Sequence, residues 1–133
     1  EKLRSVEIAP IPSRVGQRLR NELIFHSTGG GEAAKPVYRL EIVIRESVTS
    51  TLVKTDGTSL SQIYGLDASF KLVHIGDRKV LLQGSSFGRA AFERYPSIYS
   101  NVRARENAED RAALTIAEDM KTRIAAFLSR DKV

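Results

Sequence analysis

From residue 37 the chain alternates. In "VYRLEIVIRESVTSTLVK" (37–54), Tyr38, Leu40, Ile42, Ile44, Val48 and Leu52 share one face, while Arg39, Glu41 and Arg45 share the other. A period of two marks a strand with one buried face. The run is long, since strands typically have about 5–6 residues. Glu46 interrupts the apolar face and predicts a bulge or twist at that point. "TDGTS" then reads as a turn around Asp56-Gly57. Alternation resumes over 61–76, with Tyr64, Leu66, Ala68, Phe70 and Leu72 on one side and Val73 and Ile75 on the other. Gly76-Asp77 predicts a two-residue hairpin turn. "KVLLQGSSF" returns as a third long strand.

Two stretches follow the helical period instead. Val15, Leu19 and Leu23 recur every four residues and predict an amphipathic helix over 14–26, with Ser13 as its N-cap. Arg14, Arg18 and Arg20 lie off that stripe and read as a solvated face. Ala113, Ile116, Ala117, Met120, Ile124, Phe127 and Leu128 predict a second helix over 103–130, about 40 Å long. Arg105–Glu109 and Asp119–Arg123 are spaced to pair along it. Its many alanines keep one side slim enough for close packing on a sheet. Residues 2–9 carry Leu3, Val6 and Ile8 and predict a short strand. Residues 88–102 show no clean period and read as a loop rich in Phe92, Tyr95 and Tyr99, with Arg89 and Arg94 beside them.

Each strand has one apolar face and each helix one apolar stripe, so the layers must cover one another. The expected fold is α+β: a two-layer sandwich of a mixed, mostly antiparallel four-stranded sheet with both helices on one face. The 133 residues suit a single domain over 1–133. At 41% apolar residues a packed core is expected. The net charge of +5 is spread along the chain, with no run of four Lys or Arg. It favours an anionic partner and says no more.

Little of the sequence offers catalysis. There is no cysteine, which excludes disulfides, a thiol nucleophile and thiolate metal sites. His26 closes the first helix and His74 continues a strand face; neither has a carboxylate nearby in the sequence, and both read as structural. Glu109-Asp110 and Glu118-Asp119 are adjacent helical residues, which diverge rather than share a site. No GxSxG, HExxH or EF-hand pattern occurs, so no cofactor and no metal is expected. The glycines of "STGGGEAAKP" (27–36) follow a helix and precede a strand, the reverse of a phosphate loop, and Glu32 stands where a cation would be needed. They read as a mobile connector, with Gly29 capping the helix and Pro36 fixing an extended entry to the strand.

Four stretches carry a family resemblance: "VEIAPIPSRVGQRLRNEL" (6–23), "YRLEIVI" (38–44), the strand with "YGLDASFKL", and "NAEDRAALTIAEDMKTRIAAFL" (107–128). Together they resemble the lipopolysaccharide-assembly lipoprotein family LptE, in its alphaproteobacterial form. The most specific pieces are R-x-G-Q-x-[LV]-R-N at 14–21 and E-D-R-A-A at 109–113. The resemblance implies a non-enzymatic lipoprotein on the periplasmic face of the Gram-negative outer membrane, anchored by an acylated N-terminal cysteine. It implies a mixed sheet carrying two helices, seated as a plug in an LptD-like outer-membrane barrel and helping to deliver lipopolysaccharide to the outer leaflet. The chain starts at Glu1 without a methionine, so the signal peptide and anchor cysteine are expected upstream.

For lipopolysaccharide the candidates are Arg78 and Lys79, adjacent cations at a hairpin tip that could meet phosphate. For the barrel they are Arg39 and Arg45 on an outward strand face, and Arg94, Tyr95 and Tyr99 in the aromatic segment. No nucleic acid is expected as a partner. The alternative is a basic nucleic-acid-binding domain using the Tyr/Arg segment. A small hydrolase with scattered catalytic residues is a third reading.

Overall fold

The computed structural model describes residues 6–28, 36–53, 60–94 and 98–130. In chain order it has strand β1 (Val6–Ile8), helix α1 (Arg14–Thr28), strands β2 (Tyr38–Val53), β3 (Leu60–His74) and β4 (Lys79–Arg94), and helix α2 (Ile98–Arg130). The sheet order is β1-β2-β3-β4. β1 runs parallel to β2, and the other neighbours are antiparallel. This is the α+β arrangement that the two periodicities predict.

Pro10 and Pro12 follow β1 and cannot donate to a ladder. The chain therefore leaves β2 after one further bond, Ala9 N–H to the Leu40 carbonyl at 3.0 Å. Ser13 then caps α1 as expected: its Oγ accepts from the Gly16 N–H at 3.2 Å. Ser13 does this with φ at 78°, a left-handed conformation. Gly16 is required at the next turn, because a Cβ there would lie 2.9 Å from the Ile11 carbonyl oxygen.

The strand register stacks the core in rows. Leu40, Leu72 and Leu82 form one, Ile42, Phe70 and Gly84 the next, then Ile44, Ala68 and Ser86, then Glu46, Leu66 and Gly88, then Val48, Tyr64 and Ala90. Along β4 this face shrinks to Gly84, Ser86, Gly88 and Ala90, and that hollow is the seat of α2. The helix brings its own small residues to it: Ala108, Ala112, Ala113 and Ala117 are all buried, with Ile116, Met120, Ile124 and Leu128 filling the space beside them. Helix α1 contributes Val15, Leu19 and Leu23 to the same cluster. Both helices thus cover one face. The opposite face stays open, with Val43 74% and Phe87 65% exposed.

Four expectations are corrected. No bulge forms at Glu46; the β2–β3 register runs unbroken to Ser50 and shifts between Ser50 and Leu52, and the β3–β4 register shifts between Leu72 and Val73. The β3–β4 turn has four residues, Ile75–Arg78, rather than two, and Arg78 takes the left-handed position at φ 59°. The aperiodic stretch 88–102 is not one loop: its first part extends β4 to Arg94, and α2 begins at Ile98, five residues early. The arginines of α1 do not form a merely solvated face: Arg14 and Arg18 are exposed but also ion-paired, as shown below. Most of the glycine connector, including Gly29, and the Asp56-Gly57 turn lie outside the described residues.

The close seat of α2 gives a test. A Cβ at Gly88 would meet the Ala112 carbonyl oxygen at 2.7 Å, and backbone there cannot swing aside. Gly88→Ala should lower stability by about 1–3 kcal/mol in urea unfolding, the usual cost of overpacking. Gly76→Ala, in the exposed turn, should cost well under that.

Candidate functional site

At the hairpin end of the open sheet face lies a groove of about 660 Å³. Val73, Ile75 and Val80 form its apolar part, and Arg39, Lys71 and Arg78 bring cations to it. The β1–β2 register sets Glu7 beside Arg39, and their side chains pair at 2.9 Å. Arg39 also meets Glu41 at 3.4 Å. Arg39 is thus neutralised locally. Lys71 and Arg78 make no ion pair among the described residues, so they leave the groove a net positive rim. The Arg78 backbone is fixed by its N–H, which donates to the His74 carbonyl at 2.8 Å. An amphipathic anion suits this mixture: Coulomb attraction at the rim, apolar contact within.

The turn separates the two candidate cations. Arg78 lines the groove. Lys79 is not among the groove residues; it sits in register with His74, and its N–H donates to Asp77 Oδ1 at 3.0 Å. That N–H, more than the neighbouring His74, holds the Asp77 carboxyl below its ordinary value. His74 Nδ1 lies 3.1 Å from the same oxygen, so the histidine has a carboxylate partner three residues on. The sequence reading missed it.

The barrel-contact candidates also fall in two places. Arg39 is in the groove and Arg45 is exposed further along the same face of β2. Arg94 ends β4, paired with Leu60 at the opposite end of the sheet, and its side chain lies outside the described residues, as does Tyr95. Tyr99 is 70% exposed on the first turn of α2. Its hydroxyl accepts from Arg103 Nη1 at 3.3 Å, and the guanidinium lies 6.0 Å from the ring centroid. Among the described residues no group of three His, Asp or Glu could hold a metal ion. No helix of the described residues is long and apolar enough to cross a membrane.

The two most specific sequence pieces meet each other. Arg14 Nη1 donates to Glu109 Oε1 at 2.7 Å and Arg14 Nη2 to Asp110 Oδ1 at 3.2 Å. Adjacent carboxylates therefore do share a partner, because a guanidinium from another helix can fork across both. Glu109 is buried, and its second oxygen accepts from Arg105 Nε at 2.9 Å. Arg105 reaches Glu46 at 3.7 Å and lies over the Tyr64 ring at 5.7 Å. Tyr64 donates to Glu46 Oε1 at 2.7 Å. So Glu46, an anion on the apolar face, is accounted for without any bulge. Arg18 pairs with Glu22 at 3.1 Å, and Arg20 Nε donates to the Ile8 carbonyl at 3.1 Å. Burial works against the Arg14 charge, but Asp110, Glu106 and Glu109 outweigh it and hold its pKa above the ordinary value. Burial first, then the bond to Glu46, pushes the Tyr64 hydroxyl well above its ordinary 10.0.

A model of the family LptE, described as lipopolysaccharide-assembly, matches residues 3–124. Solved structures share the fold. A candidate lipoprotein from Caulobacter crescentus CB15 superposes with a TM-score of 0.75 at 17% identity, over 96% of this chain and 93% of that one. Rare lipoprotein B from Shewanella oneidensis gives 0.62 at 13% identity, over 97% and 98%. A minor lipoprotein from Acinetobacter baumannii gives 0.60 at 10% identity, over 91% of each chain. No curated protein sequence matches the chain significantly.

The network predicts two outcomes. Glu109→Ala removes the shortest carboxylate contact of both Arg14 and Arg105 and should cost about 2 kcal/mol in urea unfolding, discounted for the half-exposed arginines. Tyr64 ionises near 10.0 when unfolded and higher when folded, so its contribution is complete below pH 10.0 and fades as pH rises above it. Stability measured from pH 9 upward should therefore fall, and Tyr64→Phe should flatten that alkaline fall.

Proposed function

The chain belongs to the LptE lipopolysaccharide-assembly family, and we propose that it serves as a non-enzymatic assembly lipoprotein of the outer membrane. On this reading it is one domain, held at the periplasmic face by a lipid anchor preceding the described chain. It sits inside an LptD-like barrel and helps pass lipopolysaccharide to the outer leaflet. The observation that carries the reading is the groove in which Val73, Ile75 and Val80 lie beside Lys71 and Arg78. A glycolipid with phosphates and acyl chains has both of the features this groove complements. The open sheet face supports the barrel contact, because barrel lumens are polar and this face carries Arg39, Glu41, Arg45 and Lys71. Tyr99 with Arg103 offers a second contact surface at the far end.

A nucleic-acid reading has less behind it. Such binders gather free cations on one face. Here Arg14, Arg18, Arg39, Arg89, Arg105 and Arg123 are all engaged with carboxylates of the same chain.

Lipopolysaccharide binding at low salt tests the groove. Lys71→Glu with Arg78→Glu should weaken binding by about tenfold or more, the effect of losing two charge-assisted contacts in the groove. Lys79→Glu should change it by less than about threefold, the scale of a solvated surface charge. If Lys79→Glu proves as damaging as the double change, or the double change proves silent in a folded protein, the groove is not the site. Co-purification with the barrel, compared for Arg39→Glu with Arg45→Glu, tests the plug.

A further inference from the structure

Among the described residues the two edges of the sheet are covered differently. On β4 the Ser85 carbonyl accepts from Arg123 Nη1 and the Ala91 carbonyl accepts from Arg111 Nη2 at 3.0 Å. Both arginines reach from α2 to odd-numbered residues, whose backbone groups point away from β3. The spacing fits: twelve residues of helix and six of strand both span about 18–20 Å. Free carbonyls on an edge invite another strand, and here α2 occupies them.

The β2 edge is different. β1 pairs only with Tyr38–Leu40 before the prolines carry the chain away. The Leu40 carbonyl faces β1, so in this antiparallel strand the even residues point their N–H and C=O to that side. From Ile42 to Ser50 those groups have no strand beside them, and no hydrogen bond to them is made among the described residues. Arg45 to Ser50 are all exposed. Ser47, Val48, Thr49 and Ser50 carry no charge, and no proline or lysine blunts this stretch. The register shift comes only after Ser50, so 44–50 is a regular, unbulged template.

We propose that this edge is a self-association site, in which two copies of the chain pair antiparallel along Ile44–Ser50 about a two-fold axis at Ser47. The stretch complements itself. The axis sets Glu46 opposite Val48 of the second copy, Arg45 opposite Thr49 and Ile44 opposite Ser50. No like charges face each other, and the uncharged centre lets two cationic chains approach. The pairs formed by Ile44, Glu46, Val48 and Ser50 satisfy the outward backbone groups of both copies. Side chains add little area, so the association is weak and concentration-dependent.

Sedimentation velocity of the isolated chain, from micromolar to millimolar concentration, tests this. The unaltered chain should shift reversibly from monomer to dimer. Val48→Pro removes one outward N–H and leaves the β2–β3 ladder intact, because Val48 bonds outward. It should raise the dimer dissociation constant by about tenfold or more. Thr49→Lys, which keeps every backbone donor but charges the seam, should do the same, and circular dichroism should show both variants folded. Arg111→Ala with Arg123→Ala should leave the dimer formed by β2 unchanged. A chain that stays monomeric throughout, or a dimer indifferent to Val48→Pro and Thr49→Lys, overturns the proposal.

Discussion

A carboxylate nearly withdrawn from water holds this molecule together. Glu109 is 8% exposed and accepts from guanidiniums on both of its oxygens. An unpaired charge in that place would be strongly unfavourable, so Arg14 of α1 and Arg105 of α2 must be present and correctly placed. Apolar burial is indifferent to a small rotation of a helix; a two-sided ion pair is not. The Val15–Leu19–Leu23 stripe drives α1 onto the sheet, and the clasp fixes how it meets α2. Through Arg105 the same charge network continues to Glu46 and Tyr64, and so ties both helices to β2 and β3.

The clasp also explains why the pieces that best identify the family say least about its ligand. Arg14 grips Glu109 and Asp110; Gly16 makes room for Ile11; Leu19 is buried; Arg20 holds the Ile8 carbonyl. In the other piece, Arg111 caps Ala91, Ala112 rests on Gly88 and Ala113 is buried. These residues build the two-layer body. A surface that contacts a partner must be sought where this internal work is absent, on the open sheet face and on the β2 edge. Arg45 there makes no ion pair among the described residues, while Arg14, Arg18 and Arg105 are engaged with carboxylates of the two helices.

Periodicity made the architecture legible. Period two found β2, β3 and the start of β4, and the four-residue stripe found α1, because both patterns record which face is buried. It failed where the cause was distant in sequence. Glu46 looked like a break in a strand because its partners, Tyr64 and Arg105, are supplied by other elements. Arg14 looked solvated because Glu109 lies 95 residues away. The last turns of β4 look aperiodic because their inward positions, Gly88 and Ala90, were selected for smallness under α2 rather than for hydrophobicity. Of the candidate site, adjacency in "GDRKV" suggested two cooperating cations; a left-handed residue at Arg78 separates them, and Lys71, on the neighbouring strand β3, takes Lys79's place in the groove.

One structural decision governs both surfaces that remain open. Because β4 carries Gly84, Ser86, Gly88 and Ala90 inward, α2 can lie low over it. From that height Arg111 and Arg123 reach the β4 carbonyls, and Asp119 accepts from the buried Ser86 hydroxyl at 2.6 Å. Two outward carbonyls of the β4 edge are capped by this packing. Nothing equivalent happens at β2, whose inward side chains Ile42 and Ile44 are large and whose neighbour β1 stops after three residues. A helix cannot approach that edge closely enough to cap it. The same asymmetry of residue size that seats the long helix therefore leaves β2, with the cations of its outer face, as the side of the molecule with hydrogen-bonding and charge still to offer.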